Sequence, residues 1–424
     1  MNQPAASLSA DLQAGSQPIP TRPAGPRDSI DGVVPGLVVE SESASAVAAV
    51  LQWAGRHSLS VVIRGGGSKL DWGARPASVD VLLDLSRLHR LLQHQSGDLT
   101  VSVEAGARLY DLNQTLAQRG QWLPLDPPFS DAATIGGLLA TNDSGPQRHR
   151  FGTPRDLVIG IEVATMDGQV AKAGGQVVKN VAGYDLSKIM SGSFGSLAAI
   201  VAATFKLSPL PSASRTVVIE QLTPASAVQV INAVAASQLE PVAFDLIVQT
   251  DSRQAPSIAC LLRFASFEAV VDAETANAAA RIAAIHQVFR VVADDDERQL
   301  WLRHGSRPFD QPGVVVRASW LPADVGPLLS VIAGMSASVS VELVGRIGAG
   351  TGLFRIEGDR EAQAAAVGSM RASPVLGNVV VRRAPVDLKS REWVWGDSPA
   401  APVLAALKHE LDPGGSLGAG RGPL

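Results

Sequence analysis

The chain reads as an α+β protein of more than one domain, and three observations predict it. At 424 residues it exceeds the roughly 250–300 that one hydrophobic core supports. In the first half, short β-branched strands run into glycine-rich loops, and Asp167-Gly168 supplies the positive-φ turn of a hairpin. Beyond residue 212, strands alternate with longer helices, which predicts an antiparallel sheet covered by helices on one face.

Taken in order, residues 1–30 are rich in Pro, Ala, Ser and Gln without periodicity and are expected to be a disordered tail. Residues 45–54 form an amphipathic helix, with Val47, Val50 and Leu51 on one face and Trp53 near its end. A strand at 61–63 leads into the first glycine loop, and strands at 79–85 and 99–103 follow. The helix at 109–118 is closed by Gly120. The hairpin strands are 159–165 and 169–173; a helix at 185–190 and a strand at 198–207 complete the block. Pro209 and Pro211 then mark a boundary, giving domains at 31–211 and 212–385. Strands of the second domain fall at 217–220, 244–248, 258–264, 314–319, 339–344 and 379–381. Its helices fall at 224–236, 268–284, 324–332 and 360–370. The Gly/Pro-rich residues 386–424 have too little apolar surface for a core of their own and are expected to return to a neighbouring domain.

Composition excludes several classes. With 46% hydrophobic and 18% charged residues, the chain is an ordinary globular protein. A net charge of -4 without a long basic cluster removes the electrostatic footprint of nucleic-acid binding. The first residues lack the charge and apolar core of a secretory signal. The apolar run at 197–205 is far short of the about 20 residues a membrane span needs. A cytoplasmic protein is expected, held at the inner membrane face only through partners. Cys260, the single cysteine, sits in the apolar run Ile258-Ala259-Cys260-Leu261-Leu262 and reads as a buried, inert thiol. An iron–sulfur cluster normally takes four thiolates, so any such relay belongs to another chain.

The chemistry lies in the loops. Arg64-Gly65-Gly66-Gly67-Ser68-Lys69 ends a strand abruptly. Glycine permits close backbone approach and positive φ, and successive N–H groups in such a loop form a nest for an anion. An ordinary tight turn is the alternative. A second loop, Leu125-Asp126-Pro127-Pro128 followed by Thr134-Ile135-Gly136-Gly137, places Thr134 as the N-cap of a short helix. Its free N–H groups are expected to face a ligand. With Gly192-Ser193-Phe194-Gly195 as a third loop, a shared dinucleotide is favoured over separate turns. A nicotinamide-binding fingerprint is excluded, because the glycines are contiguous and residues 70–76 do not read as a helix.

These residues carry a resemblance. Arg64 to Ser68, Thr134 to Gly137 with Asn142 and Gly145, Arg150-Phe151-Gly152-Thr153-Pro154-Arg155-Asp156 and Ser193-Phe194-Gly195-Ser196-Leu197 resemble the FAD-binding domain of the vanillyl-alcohol-oxidase/PCMH superfamily. Val178-Lys179-Asn180-Val181-Ala182-Gly183-Tyr184-Asp185-Leu186-Ser187-Lys188 is similar to the GlcE-type FAD-binding subunits of bacterial glycolate oxidase. The resemblance implies a PCMH-type FAD-binding domain of two α+β subdomains, an α+β cap with an antiparallel sheet, and a C-terminal return. It also implies oxidation of a small 2-hydroxy acid such as glycolate, with hydride passing to flavin. The partners implied are a GlcD-like flavoprotein paralogue and a GlcF-like iron–sulfur subunit. Cofactor contacts then fall to Arg64, Gly65, Gly66, Gly67, Ser68, Lys69, Pro128, Thr134, Ile135, Gly136, Gly137, Asn142, Ser144, Gly145, Gly195 and Ile200. Some relatives tether FAD to a histidine where this chain has Ser68, so non-covalent FAD is expected.

Two departures bear on activity. The His-rich Gly-Asp-Gly-Asn motif of the catalytic paralogue has no counterpart in this sequence. The family's C-terminal Phe-Asn-Pro-Gly stands here as Leu417-Gly418-Ala419-Gly420, followed by Arg421. No catalytic residue or metal ligand is assigned. Trp301, Arg303, His304 and Arg307 read as a helix end with a packed Trp and solvated basic groups, against the alternative of a carboxylate site. Asp294-Asp295-Asp296-Glu297 reads as an acidic first helical turn, and Arg382 and Arg383 as solvated. The chain's own flavin oxidising a substrate, a relay or scaffold role beside a catalytic paralogue, and a stand-alone oxidoreductase all remain open.

Overall fold

The computed structural model describes residue 12 and residues 18–175, 185–251 and 254–423. Of the stretch Val178 to Lys188, residues 178–184 therefore lie outside the described residues. The chain divides into two compact units. The first comprises Met1–Asp143, Thr153–Pro209 and Lys389–Leu424, and the second Ser144–Gly152 and Leu210–Leu388.

Two sheets build the first unit. In one, strands β1 (Thr21–Arg22), β2 (Leu37–Glu40), β3 (Val61–Arg64) and β4 (Val81–Asp84) lie in the order β1-β2-β4-β3. Strands β2, β4 and β3 run parallel, and β1 closes the edge antiparallel. The helix Ala44–Arg56 buries Val47, Val50 and Leu51 in the core of this sheet, with Ser43 capping its first turn. The second sheet uses β5 (Leu91–Gln95), β6 (Thr100–Glu104), β8 (Val158–Ala164), β9 (Val170–Gly174) and β10 (Ala199–Lys206), in the antiparallel order β5-β6-β10-β8-β9. Short β7 (Gln121–Trp122) pairs separately with β11 (Ser208–Pro209). The helices Leu109–Ala117 and Ile135–Thr141 bury Leu112, Leu116, Leu138 and Leu139 in the core beneath the second sheet.

Residues 18–30 correct the expectation of a disordered tail. Ile19 and Ile30 are buried, and Thr21 and Arg22 pair with Val39 and Val38. Asp28 accepts hydrogen bonds from both Arg22 and Arg64. A two-residue strand and two isolated apolar anchors are too short to register as periodicity within a Pro- and Ser-rich segment.

The second unit is one eight-stranded sheet. Its strands are β12 (Ala213–Ile219), β13 (Ala243–Asp251), β14 (Gln254–Ser266), β15 (Phe289–Ala293), β16 (Val314–Ser319), β17 (Ser340–Arg346), β18 (Thr351–Glu357) and β19 (Gly377–Arg383). Their order is β15-β12-β14-β13-β17-β18-β16-β19, with every pairing antiparallel. Register sorts the side chains sharply, because paired residues share a face. One face collects buried Val217, Leu246, Cys260, Leu262, Phe264, Leu343, Phe354 and Val316. The other collects Thr216, Arg263, Asp245, Arg346, Glu342, Arg355 and Arg317. Arg215 of the apolar face meets Glu268 and Asp272, which places the helix Glu268–Ala283 there. The helix Asp294–Ser306 lies on the polar face, where Glu297 and Trp301 bond Thr216 and His304 bonds Asp245. Helices thus cover both faces rather than one. The strands at 289–293 and 351–357 escape sequence reading altogether.

Candidate functional site

The three glycine loops converge on one cleft in the first unit. It is lined by Ile63, Arg64, Gly65, Gly66, Gly67, Ser68 and Lys69 from the first loop and its strand. Thr134, Gly136, Gly137, Ala140 and Thr141 form a second wall. Phe194, Gly195, Ala198 and Ile200 form a third, and Arg421 arrives from the C-terminal end. Its volume is about 800 Å³ including the open mouth. That is an open trough rather than a small sealed cavity.

Glycine is needed at the first loop for an unexpected reason. A Cβ on Gly65 would overlap the Thr134 hydroxyl, and one on Gly66 the carbonyl oxygen of Ala132. The first two glycines therefore let one loop cross the other in direct contact. Among the described residues nothing accepts a hydrogen bond from the amides of Gly66, Gly67 or Ser68, and Gly67 adopts φ +73°. Those amides remain available to an anion, as a nest requires.

The second loop corrects the sequence reading. Ile135 N–H donates to Ala107 O at 2.9 Å, and Gly136 N–H to Ala105 O at 2.7 Å. Gly137 N–H donates to Thr134 Oγ1 at 3.4 Å. The first turn of this helix is thus satisfied internally and presents no free amides to a ligand. A Cβ on Gly136 would lie 2.9 Å from Ala105 Cβ, so that glycine allows the helix to approach the end of β6. Thr134, Gly136 and Gly137 still form a wall of the cleft.

The remaining candidates separate clearly. Gly195 and Ile200 line the cleft, Gly195 with φ +69°. Ile135 faces the core and Pro128 is buried away from the cleft. Asn142 closes the Ile135–Thr141 helix in the left-handed conformation, φ 45°, and accepts a hydrogen bond from Arg155 N–H. Ser144 and Gly145 belong to the second unit. Among the lining residues, Ile63, Leu85 and Ala198, with Phe194 of the third loop, are apolar and suited to a flat ring system.

Charge around the cleft is largely compensated within the chain. The guanidinium of Arg64 donates to Asp28 at 2.8 Å and to Asp84 at 2.9 Å. The ammonium of Lys69 lies 3.0 Å from Asp143 and 5.4 Å from the Trp72 ring. Neither cation is therefore free for a phosphate, as the motif alone implied.

Most of the candidates in the second unit are engaged as well. His304 is buried and bonds Asp245 at 2.7 Å, Arg307 pairs with Glu342, and Arg303 is exposed. Glu297 turns inward to Thr216 and Arg263 instead of remaining in a solvated acidic turn. Arg382 is buried and Arg383 packs over Phe309 at 4.9 Å, so neither is solvated as the sequence suggested. Burial and the charge of Asp245 push the Cys260 thiol far above its usual value, which leaves it inert at neutral pH.

Comparisons with known proteins agree with this geometry. Residues 35–174 match the family model of the FAD binding domain. Over 216 residues, 51% of this chain and 46% of the relative, the sequence is 28% identical to glycolate oxidase subunit GlcD of Bacillus subtilis (strain 168). Over 156 residues, 36% of this chain and 44% of the relative, it is 38% identical to glycolate oxidase subunit GlcE of Escherichia coli (strain K12). The chain thus matches less than half the length of either relative. The structure of a chitooligosaccharide oxidase superposes with TM-score 0.70 at 14% identity, covering 99% of this chain and 98% of that one. At such identity the likeness is one of fold. Free amides in the first loop, an open trough and apolar lining residues fit an anionic dinucleotide carrying a flat ring. Residues 35–174 thus match a FAD binding domain, within a chain that shares the fold of a chitooligosaccharide oxidase.

Proposed function

We propose that this chain is the FAD-binding subunit of a glycolate-oxidase-type complex that oxidises a small 2-hydroxy acid to the 2-oxo acid. In this reading, residues 31–211 and 386–424 hold non-covalent FAD, and 212–385 form the cap. The observation that carries it is the cleft between the Gly65–Ser68 and Thr134–Gly137 loops, within the matched segment. Similarity to the glycolate oxidase subunits GlcD and GlcE supports the substrate class and membership of a complex. The partners in this reading, a GlcD-like flavoprotein and a GlcF-like iron–sulfur subunit, follow from the sequence resemblance.

When bound, FAD supplies the two-electron acceptor that the protein side chains lack. The chain's own part is to seat and orient it. The amides of Gly66, Gly67 and Ser68 would receive anionic oxygens of the cofactor, and the apolar Ile63, Leu85, Ala198 and Ile200 would shield its ring from water. The single cysteine of the chain is buried, so an iron–sulfur relay would belong to a partner.

A second reading has its own support. Arg307 is paired with Glu342 and His304 with Asp245, so two of the three basic side chains offered for a substrate carboxylate are already engaged. The chain then relays electrons for a catalytic paralogue. An anaerobic visible spectrum of the purified chain, before and after glycolate, separates the two. Flavin bands that bleach in the chain alone establish its own substrate site. Bands that bleach only after the paralogue is added establish a relay, and a preparation that binds no FAD refutes both.

A further inference from the structure

Three cationic side chains line the cleft, and two of them carry their own counter-charge. Arg64 is held by Asp28 and Asp84, and Lys69 by Asp143. Arg421 differs. It is 5% exposed, and among the described residues no carboxylate forms an ion pair with it. One terminal nitrogen donates to Leu70 O at 2.7 Å and to Trp72 O at 2.8 Å. Its Nε is buried without a partner. Asp31 and Asp71 act on it only at longer range, and Asp31 is itself held by Lys389 at 2.7 Å.

The backbone of Arg421 is held as well, and the residue lines the cleft. Its carbonyl accepts from Ala74 N–H at 3.1 Å and from Trp395 Nε1 at 3.0 Å. Burial lowers the guanidinium to about 10, which still leaves it charged at neutral pH. An unpaired charge in a buried site is costly unless an anion completes it. The carbonyls it holds, Leu70 and Trp72, directly follow the loop whose amides are free.

We propose that Arg421 is the counter-charge of the cofactor diphosphate, acting together with the amides of Gly66, Gly67 and Ser68. This rests on the FAD reading of the same cleft. It assigns to the C-terminal end the cationic role that Arg64 and Lys69, despite their place in the glycine motif, do not fill. A guanidinium bound to two carbonyls on one side keeps an N–H edge for an anionic oxygen on another.

The test uses the full chain stripped of cofactor, in three forms: unaltered, Arg421→Gln and Trp395→Phe. Trp395→Phe removes the indole hydrogen bond to the Arg421 carbonyl and keeps the charge. FAD affinity is measured by fluorescence titration across a salt series, and inorganic diphosphate binding by the rise in melting temperature. Arg421→Gln is expected to weaken FAD binding about 50-fold, flatten its salt dependence and abolish stabilisation by diphosphate. Trp395→Phe should stay within about threefold of the unaltered chain. Unchanged FAD affinity and unchanged diphosphate stabilisation in Arg421→Gln would overturn the proposal. Equal losses in both variants would overturn it too, since they would mark Arg421 as a structural clamp. An unaltered chain that binds diphosphate through Arg421 but not FAD would retain the anion site and sink the cofactor reading alone.

Discussion

At the scale of single residues, two glycines of the cleft predict opposite behaviours. Gly66 lies where any Cβ overlaps the carbonyl of Ala132, so Gly66→Ala should destabilise the fold itself, with loss of soluble protein or a strongly lowered melting temperature. Gly137 is different, because a Cβ there meets only Thr134 Oγ1, at 3.2 Å. Gly137→Asp should therefore fold, yet lose at least about 100-fold in FAD affinity by placing a carboxylate in the wall of an anion site. Titration of FAD alongside circular dichroism checks both; a folded Gly137→Asp with native affinity would remove this loop from the cofactor site. The contrast also shows what the motif conceals. Contiguous glycines announced a ligand, whereas half of their necessity is the contact of one loop with another.

At the scale of elements, the short N-terminal strand is held by charge. Hydrogen bonds from Arg22 and, beyond it, Gly25 and Arg64 hold the Asp28 carboxyl well below the usual carboxylate range. A group with a depressed folded pKa contributes stability above its unfolded value, about 3.9, and loses that contribution as pH falls toward the folded one. Asp28→Asn should cost about 2 kcal/mol near neutrality, and the gap in melting temperature should narrow below about pH 4. A gap that is constant from pH 7 to pH 3 would contradict this. The N-terminal element was invisible in the sequence because composition, not contact, was legible there. By contrast, the helix at 44–56, the hairpin at 158–174 and the strand at 314–319 followed directly from periodicity and turn chemistry. Loops converging on the cleft were legible as motifs. The ion pairs that occupy Arg64 and Lys69 were not, since Asp28 and Asp84 stand apart from any motif and Asp143, though next to Asn142, carries no sequence sign of its partner.

At the scale of the molecule, the first unit is completed by its last residues. Leu417 is buried beside Val61, whose N–H donates to Ser416 O at 2.8 Å. Lys408 secures that return, bonding Ser196 O at 2.7 Å, Leu417 O at 2.9 Å and the buried carboxylate of Asp412. Lys408→Met should cost about 3 kcal/mol, chiefly by leaving Asp412 buried and unpaired. It should also make the stretch 396–411 sensitive to limited proteolysis and weaken FAD binding. A variant with native melting temperature and protease resistance would show the return to be held by its apolar contacts alone.

The same feature sets an order of events in synthesis. Arg421 bonds carbonyls some 350 positions earlier in the chain, at Leu70 and Trp72. The cleft therefore gains its last wall only once residue 421 has been synthesised and has folded back on residues 70–72. A product interrupted before Leu417 is expected to bind FAD more weakly than the intact chain, so the flavin content of a preparation should fall with the share of such truncated molecules in it.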